Sequence, residues 1–80
     1  MQVTVQYFAT LRVAAGTSTE TWTINESETA RSLFARISAR HPISQPLADL
    51  RVAINDEFAD EDSALRNGDK LVFIPPVSGG

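Results

Sequence analysis

Eighty residues suffice for one domain and one modest core, since a chain of this size buries only roughly 60–65% of its unfolded surface, and the hydrophobic fraction of 42% is enough to build that core. The net charge of −3, with arginines scattered rather than striped, argues against nucleic acid as a partner. The absence of cysteine excludes disulfides, zinc–thiolate sites, iron–sulfur clusters and cysteine nucleophiles together, and His41, the single histidine, builds no metal site alone.

No apolar run approaches the ~20 residues of a membrane span, and the opening MQVTVQYF lacks the basic start of a secretory signal, so a cytoplasmic protein away from membranes is expected. There is no glycine-rich phosphate loop, no G-x-S-x-G elbow and no histidine placed by motif beside a nucleophile. Chemistry must then use the termini, the carboxylates or another protein's residues. No metal and no bound cofactor are expected.

In QVTVQYF, alternation puts Val3, Val5 and Tyr7 on one face and Thr4, Gln6 and Phe8 on the other, which predicts a strand. ATLRVAAGT reads as a connection with Gly16 as its turn former. STETWTI is a second strand, with Trp22 and Ile24 on one face, and the two strands are expected to pair as an antiparallel hairpin. NESET is a break rich in capping residues, with Ser27 or Thr29 able to satisfy the open N–H groups of a helix start. The period then changes: Ala30, Leu33, Phe34 and Ile37 fall at helical spacing, while Arg31, Arg36 and Arg40 stay off that face. Arg40 and His41 suit the negative end of the helix dipole, and Pro42 stops the helix. PISQPLADL is an irregular connection. RVAI is a short strand, Asn55-Asp56 a turn and EFA a minor or edge strand. RNGD is a strong turn leading into KLVFI, an apolar run that reads as a buried central strand ended by Pro75 and Pro76.

The order β-β-α-β-(β)-β describes an α+β roll of the β-grasp type: a mixed sheet of four to five strands, one main helix on one face, and the last strand central beside the first. The core candidates are Leu33, Phe34, Ile37, Val52, Ile54, Leu71 and Phe73. Trp22 is assigned to sheet packing, Asp60-Glu61-Asp62 to a solvated acidic loop, and His41 to the helix C-terminus without a catalytic role.

Residues 1–74 are expected to be the domain and residues 75–80 an extended, reactive tail. Prolines restrict φ and favour polyproline II, so IPP leaves the sheet extended. Six residues reach at most about 20 Å at ~3.3–3.6 Å each. Gly79 and Gly80 have no Cβ and pass a constriction that stops any other pair. A terminal carboxylate, with a pKa near ~3.5, is inert as an acyl donor until another enzyme activates it, as in an acyl-adenylate.

FIPPVSGG, together with VQYFATLRVAAGT, VAIND and LRNGDKLVFI, resembles the small-subunit family of molybdopterin synthase, sulfur-carrier proteins with a ubiquitin-like β-grasp fold. The resemblance runs the length of the chain, is most specific at the end, and is weakest between Ser44 and Leu50. It implies that Gly80 is adenylated by an enzyme related to ubiquitin-activating enzymes, at the expense of ATP. Sulfur from a persulfide donor then makes it a thiocarboxylate (1-thioglycine). It further implies a large synthase subunit, in a heterotetramer, whose active site accepts the tail. There the sulfur attacks cyclic pyranopterin monophosphate, and two transfers build the dithiolene that later holds molybdenum or tungsten. The chain would be a consumed and recharged cosubstrate, not itself a catalyst.

By the same resemblance Phe8, Phe58 and Ile74 form an apolar docking patch, and Arg12 matches a family position for partner binding. Pro75 and Pro76 set the direction of the tail, Val77 and Ser78 line its passage, and Gly79 gives clearance. Alternation independently turns Phe8 outward if Val3, Val5 and Tyr7 pack inward, and an exposed phenyl ring on so small a protein suggests a partner surface. Three other readings remain open: a sulfur carrier for another pathway such as thiamine thiazole synthesis, a ubiquitin-like modifier joined to target lysines, and an interaction module with an idle tail.

Overall fold

The computed structural model describes residues 1–75. Among them, five strands form one mixed sheet: β1 (Gln2–Tyr7), β2 (Thr19–Thr23), β3 (Arg51–Ile54), β4 (Glu57–Ala59) and β5 (Lys70–Ile74), in the spatial order β2-β1-β5-β3-β4. KLVFI takes the centre because it is apolar on both faces: Leu71, Val72 and Phe73 are all buried. It runs parallel to β1, with Val5 beside Leu71 and Tyr7 beside Phe73, and antiparallel to β3, with Val52 beside Phe73 and Ala53 beside Val72. β1 and β2 pair antiparallel as expected, with Val3 opposite Trp22. Asn55 (φ 52°) and Asp56 (φ 71°) both adopt the left-handed region between β3 and β4, the geometry of a tight hairpin turn that Asn and Asp tolerate.

ATLRVAAGT is not a simple turn. Ala9–Ala15 forms a short helix, α1, closed by Gly16 at φ 75°, whose N–H donates to the Arg12 carbonyl. Alanine, leucine and arginine are strong helix formers and a left-handed glycine is a common helix stop, so local propensity wins over the turn reading. Leu11 anchors the helix in the core. The hairpin expected between the first two strands is therefore a strand pair bridged by a helix.

The main helix, α2, spans Ala30–Arg40. Of the two proposed caps, Thr29 serves: its Oγ1 accepts from the Ser32 N–H (3.1 Å), and Ser32 Oγ accepts from the Thr29 N–H (2.9 Å). Ala30, Leu33, Phe34 and Ile37 face the sheet and are buried, with Phe34 edge-on to Phe73 at 5.0 Å between ring centroids. All the expected core residues are buried except Ile54, which is half-buried against the cluster. The core lies between α2 and one face of the sheet, leaving the other face open. No helix among the described residues is long and apolar enough to cross a membrane. Pro76, Val77, Ser78, Gly79 and Gly80 lie outside the described residues.

Candidate functional site

The open face of the sheet carries a groove of about 350 Å³ lined by Gln6, Phe8, Ala53, Asp56, Phe58, Lys70, Val72 and Ile74. Period-two alternation builds it. Val3, Val5, Tyr7, Leu71 and Phe73 point at α2, so Gln6, Val72 and Ile74 point the other way. The register then aligns Gln6, Val72, Ala53 and Phe58 in one row across four strands. Phe8, Phe58 and Ile74 thus converge, although Phe8 follows β1, Phe58 is the middle residue of β4 and Ile74 ends β5.

Two details keep the phenyl rings outward. Ala9 has φ 52°, unusual for a residue with a Cβ, and it swings the chain abruptly out of β1 into α1, leaving Phe8 at the rim. Phe58 sits on β4, the edge strand, where only β3 flanks it. Phe8 is 44% and Phe58 67% exposed, while Ala53 and Val72 form a buried floor. Exposed aromatic rings over an apolar floor describe a docking surface better than a core. Pro75, half-buried, follows Ile74 directly, so the chain leaves the sheet at the groove's end. Arg12 does not line the groove. It stands exposed on α1, one turn beyond Phe8, and its N–H donates to the Phe8 carbonyl (3.4 Å).

Charge is confined to the rim. Lys70 Nζ meets Asp56 Oδ1 at 2.7 Å at the end far from Pro75. At the near end the Arg51 guanidinium lies 4.2 Å from the centroid of the Phe58 ring. Among the described residues the groove's lining therefore offers apolar contact bounded by a paired lysine and aspartate, a surface that can bind. Val72, Ala53, Gln6, Lys70, Asp56 and Arg51 were not singled out from sequence. Alternation within KLVFI would have turned Val72 and Ile74 away from Leu71 and Phe73, but the rim charges depend on cross-strand register.

A second polar cluster ties the opposite side of the molecule together. Glu20 Oε1 accepts from Tyr7 Oη–H (2.7 Å) and Trp22 Nε1–H (2.7 Å), and His41 Nε2 lies 3.0 Å away. Burial works to raise the Glu20 carboxyl, but hydrogen bonds from Tyr7, His41 and Trp22 outweigh it and hold the group below its ordinary value. Tyr7 is pushed well above the usual phenol range, first by burial and then by its bond to Glu20. His41 ends α2 as its C-cap and joins β2 to the helix, a structural position. The Asp60-Glu61-Asp62 loop is not merely solvated. Arg31, projecting from the first turn of α2, pairs with Glu61 and with Asp62 (2.8 Å), because the bridge between Thr29 and Ala64 brings the loop against the helix start.

The ThiS family profile matches residues 5–80. The molybdopterin synthase sulfur carrier subunit of Chlamydomonas reinhardtii is 36% identical over 83 residues, covering 100% of both chains. Among solved structures, SAMP1 of Haloferax volcanii superposes with a TM-score of 0.84 at 26% identity, covering 100% of both chains. A chain in the complex of subunits 1 and 2 of the molybdopterin-converting factor from Helicobacter pylori matches with a TM-score of 0.70 at 25% identity, again over 100% of both chains. These likenesses run through the sheet, both helices and the strand that feeds the tail, and the chain belongs to the ThiS family, among the molybdopterin synthase sulfur carrier subunits.

Proposed function

We propose that this chain is the sulfur-donating small subunit of a molybdopterin synthase, with Gly80 as the acyl carrier. The observation that carries the reading is the 36% identity with a sulfur carrier subunit along the whole of both chains. The convergence of Phe8, Phe58 and Ile74 at the point where Pro75 leads out of the sheet supports it, since a subunit seated on that groove has the tail aimed into it.

The chemistry follows from what a carboxylate cannot do. At neutral pH the Gly80 carboxylate resists acyl transfer because its leaving group is an oxide. An activating enzyme that consumes ATP links one oxygen to AMP and releases pyrophosphate. The terminal sulfur of a persulfide displaces AMP at the carbonyl carbon, and thiol cleavage of the S–S bond leaves a thiocarboxylate. In the large subunit this sulfur attacks cyclic pyranopterin monophosphate, water returns Gly80 to a carboxylate, and a second carrier delivers the second sulfur of the dithiolene. Gly79 keeps the approach narrow. Pro76, Val77 and Ser78 extend the reach and line the passage, and the residues that catalyse attack belong to the large subunit. Phe8, Phe58, Ile74 and Pro75 dock, with Arg12 a flanking contact.

The test is reconstitution. Thiocarboxylated chain, mixed with its large subunit and cyclic pyranopterin monophosphate, is expected to yield molybdopterin, and chain lacking Gly80 to yield none. Equal product from both would refute the reading. The likeness to SAMP1, the small archaeal modifier protein 1 of Haloferax volcanii, favours one second reading, conjugation of Gly80 to lysines. Gly80-dependent high-mass conjugates in cells would be its signature.

A further inference from the structure

The end of the groove next to Pro75 holds a cation that sulfur donation does not require. Arg51 opens β3 directly opposite Ile74, and Ala53, two residues on and on the same face, lies opposite Phe58. Arg51 is therefore the diagonal neighbour of Phe58, within reach of a long side chain. Its guanidinium sits over the ring at 4.2 Å from the centroid. Cation–π attraction at this distance holds the guanidinium over the ring, and no side-chain hydrogen bond among the described residues occupies its N–H donors.

Three of the other six cations are already matched. Lys70 pairs with Asp56, Arg31 with Glu61 and Asp62, Arg36 with Glu28. Arg51 forms no ion pair with an acidic side chain among the described residues. Arg12, Arg40 and Arg66 likewise form none, but none of them is stacked on a residue that lines the groove. Lys70 is thus matched by Asp56 at one end of the groove, while the Arg51 guanidinium stands at the other, where Pro75 leads the chain out of the sheet.

We infer that Arg51 is a specificity-determining contact of this face: held over Phe58, it receives a carboxylate from the large subunit whose apolar side chains fill the groove. The inference rests on the reading of the chain as the small synthase subunit. A bidentate guanidinium–carboxylate contact beside the apolar floor fixes the register in which the partner lies along the groove. It also rejects a surface that brings a lysine or arginine to the same place.

The experiment is a calorimetric titration of the purified cognate large subunit with wild-type chain, R51A, R51K, R51E and F58D, each at low and high salt, with circular dichroism to verify folding. R51E is expected to weaken binding by about tenfold or more at low salt, R51A by less, and R51K least. Wild-type affinity should fall as salt is added, and that dependence should flatten in R51A. R51E binding as wild type does, while F58D fails to bind, would overturn the role of Arg51 and leave the docking face intact. Weaker binding by R51A and R51E with an unchanged salt dependence would also overturn it, reducing Arg51 to a support for Phe58. If R51E does not fold, R51A and R51K carry the comparison. No binding by wild-type chain would sink the small-subunit reading and this inference together.

Discussion

Replacing Glu20 with alanine removes the shared acceptor of a partly buried cluster, and its cost can be worked out from the contacts. Tyr7 is 1% and Trp22 8% exposed, so water does not reach their polar hydrogens readily once the carboxylate is gone. His41 is more open and turns to solvent at little cost. Tyr7 Oη–H loses its acceptor at roughly 1–3 kcal/mol, and Trp22 Nε1–H keeps only the longer contact to Tyr7 Oη (3.4 Å) and loses less, which together amount to about 2–4 kcal/mol. An 80-residue domain has roughly 4–12 kcal/mol of stability in total. E20A therefore removes a large share and should lower Tm by roughly 10–25 °C. E20Q keeps one acceptor oxygen and should cost about 1 kcal/mol.

The effect carries a pH signature. The folded-state carboxyl of Glu20 lies below its ordinary value of 4.5. Its contribution is complete above that value and is lost as pH falls below it through the folded-state value. The gap between wild type and E20A should be widest near neutrality and should narrow below about pH 4.5. Glu28, which is also held low, is present in both proteins and cancels from the difference. Trp22 is the single tryptophan and hydrogen-bonds to Glu20, so fluorescence-monitored urea and thermal unfolding read the site directly. An E20A protein within about 0.5 kcal/mol of wild type, or a gap that stays constant from neutral to acid pH, would refute the reasoning.

Gly79→Ala should leave the unfolding curve unchanged and slow sulfur transfer to the large subunit, measured as molybdopterin formed per turnover from pre-charged chain; a full rate would contradict the clearance role. Phe58→Asp exchanges an exposed ring for a charge and forfeits part of the roughly 1.5–3 kcal/mol that burial of a phenyl ring provides, so large-subunit affinity should fall about tenfold or more while the fold persists. Thr29→Ala removes the cap of α2 and should cost about 1 kcal/mol by urea denaturation, with no effect on charging of Gly80.

The sheet was legible because its strands obey simple periods. QVTVQY alternates and β1 is half-buried; LVFI, after Lys70, is apolar throughout and β5 is central. The main helix announced itself through Ala30, Leu33, Phe34 and Ile37, with Thr29 before and Pro42 after. The short α1 was less visible because Gly16 marks a turn and a helix stop equally well. Phe8 could be turned outward from alternation, but its meeting with Phe58 and Ile74 came from the family resemblance, since strand order, not spacing, brings them together. The rim charges and the Glu20 cluster were beyond local reading. Glu20 and His41 lie 21 positions apart, and Arg31 and Asp62 lie 31 apart, so only the tertiary fold makes them neighbours.

The central claim is that this chain carries sulfur on Gly80, and the most direct measurement is intact mass after incubation with ATP, the activating enzyme and a persulfide donor. The account predicts replacement of one oxygen by sulfur, mapped to the C-terminal peptide and absent from chain lacking Gly80. An unchanged mass, with an activating enzyme that charges another carrier in the same reaction, would contradict it.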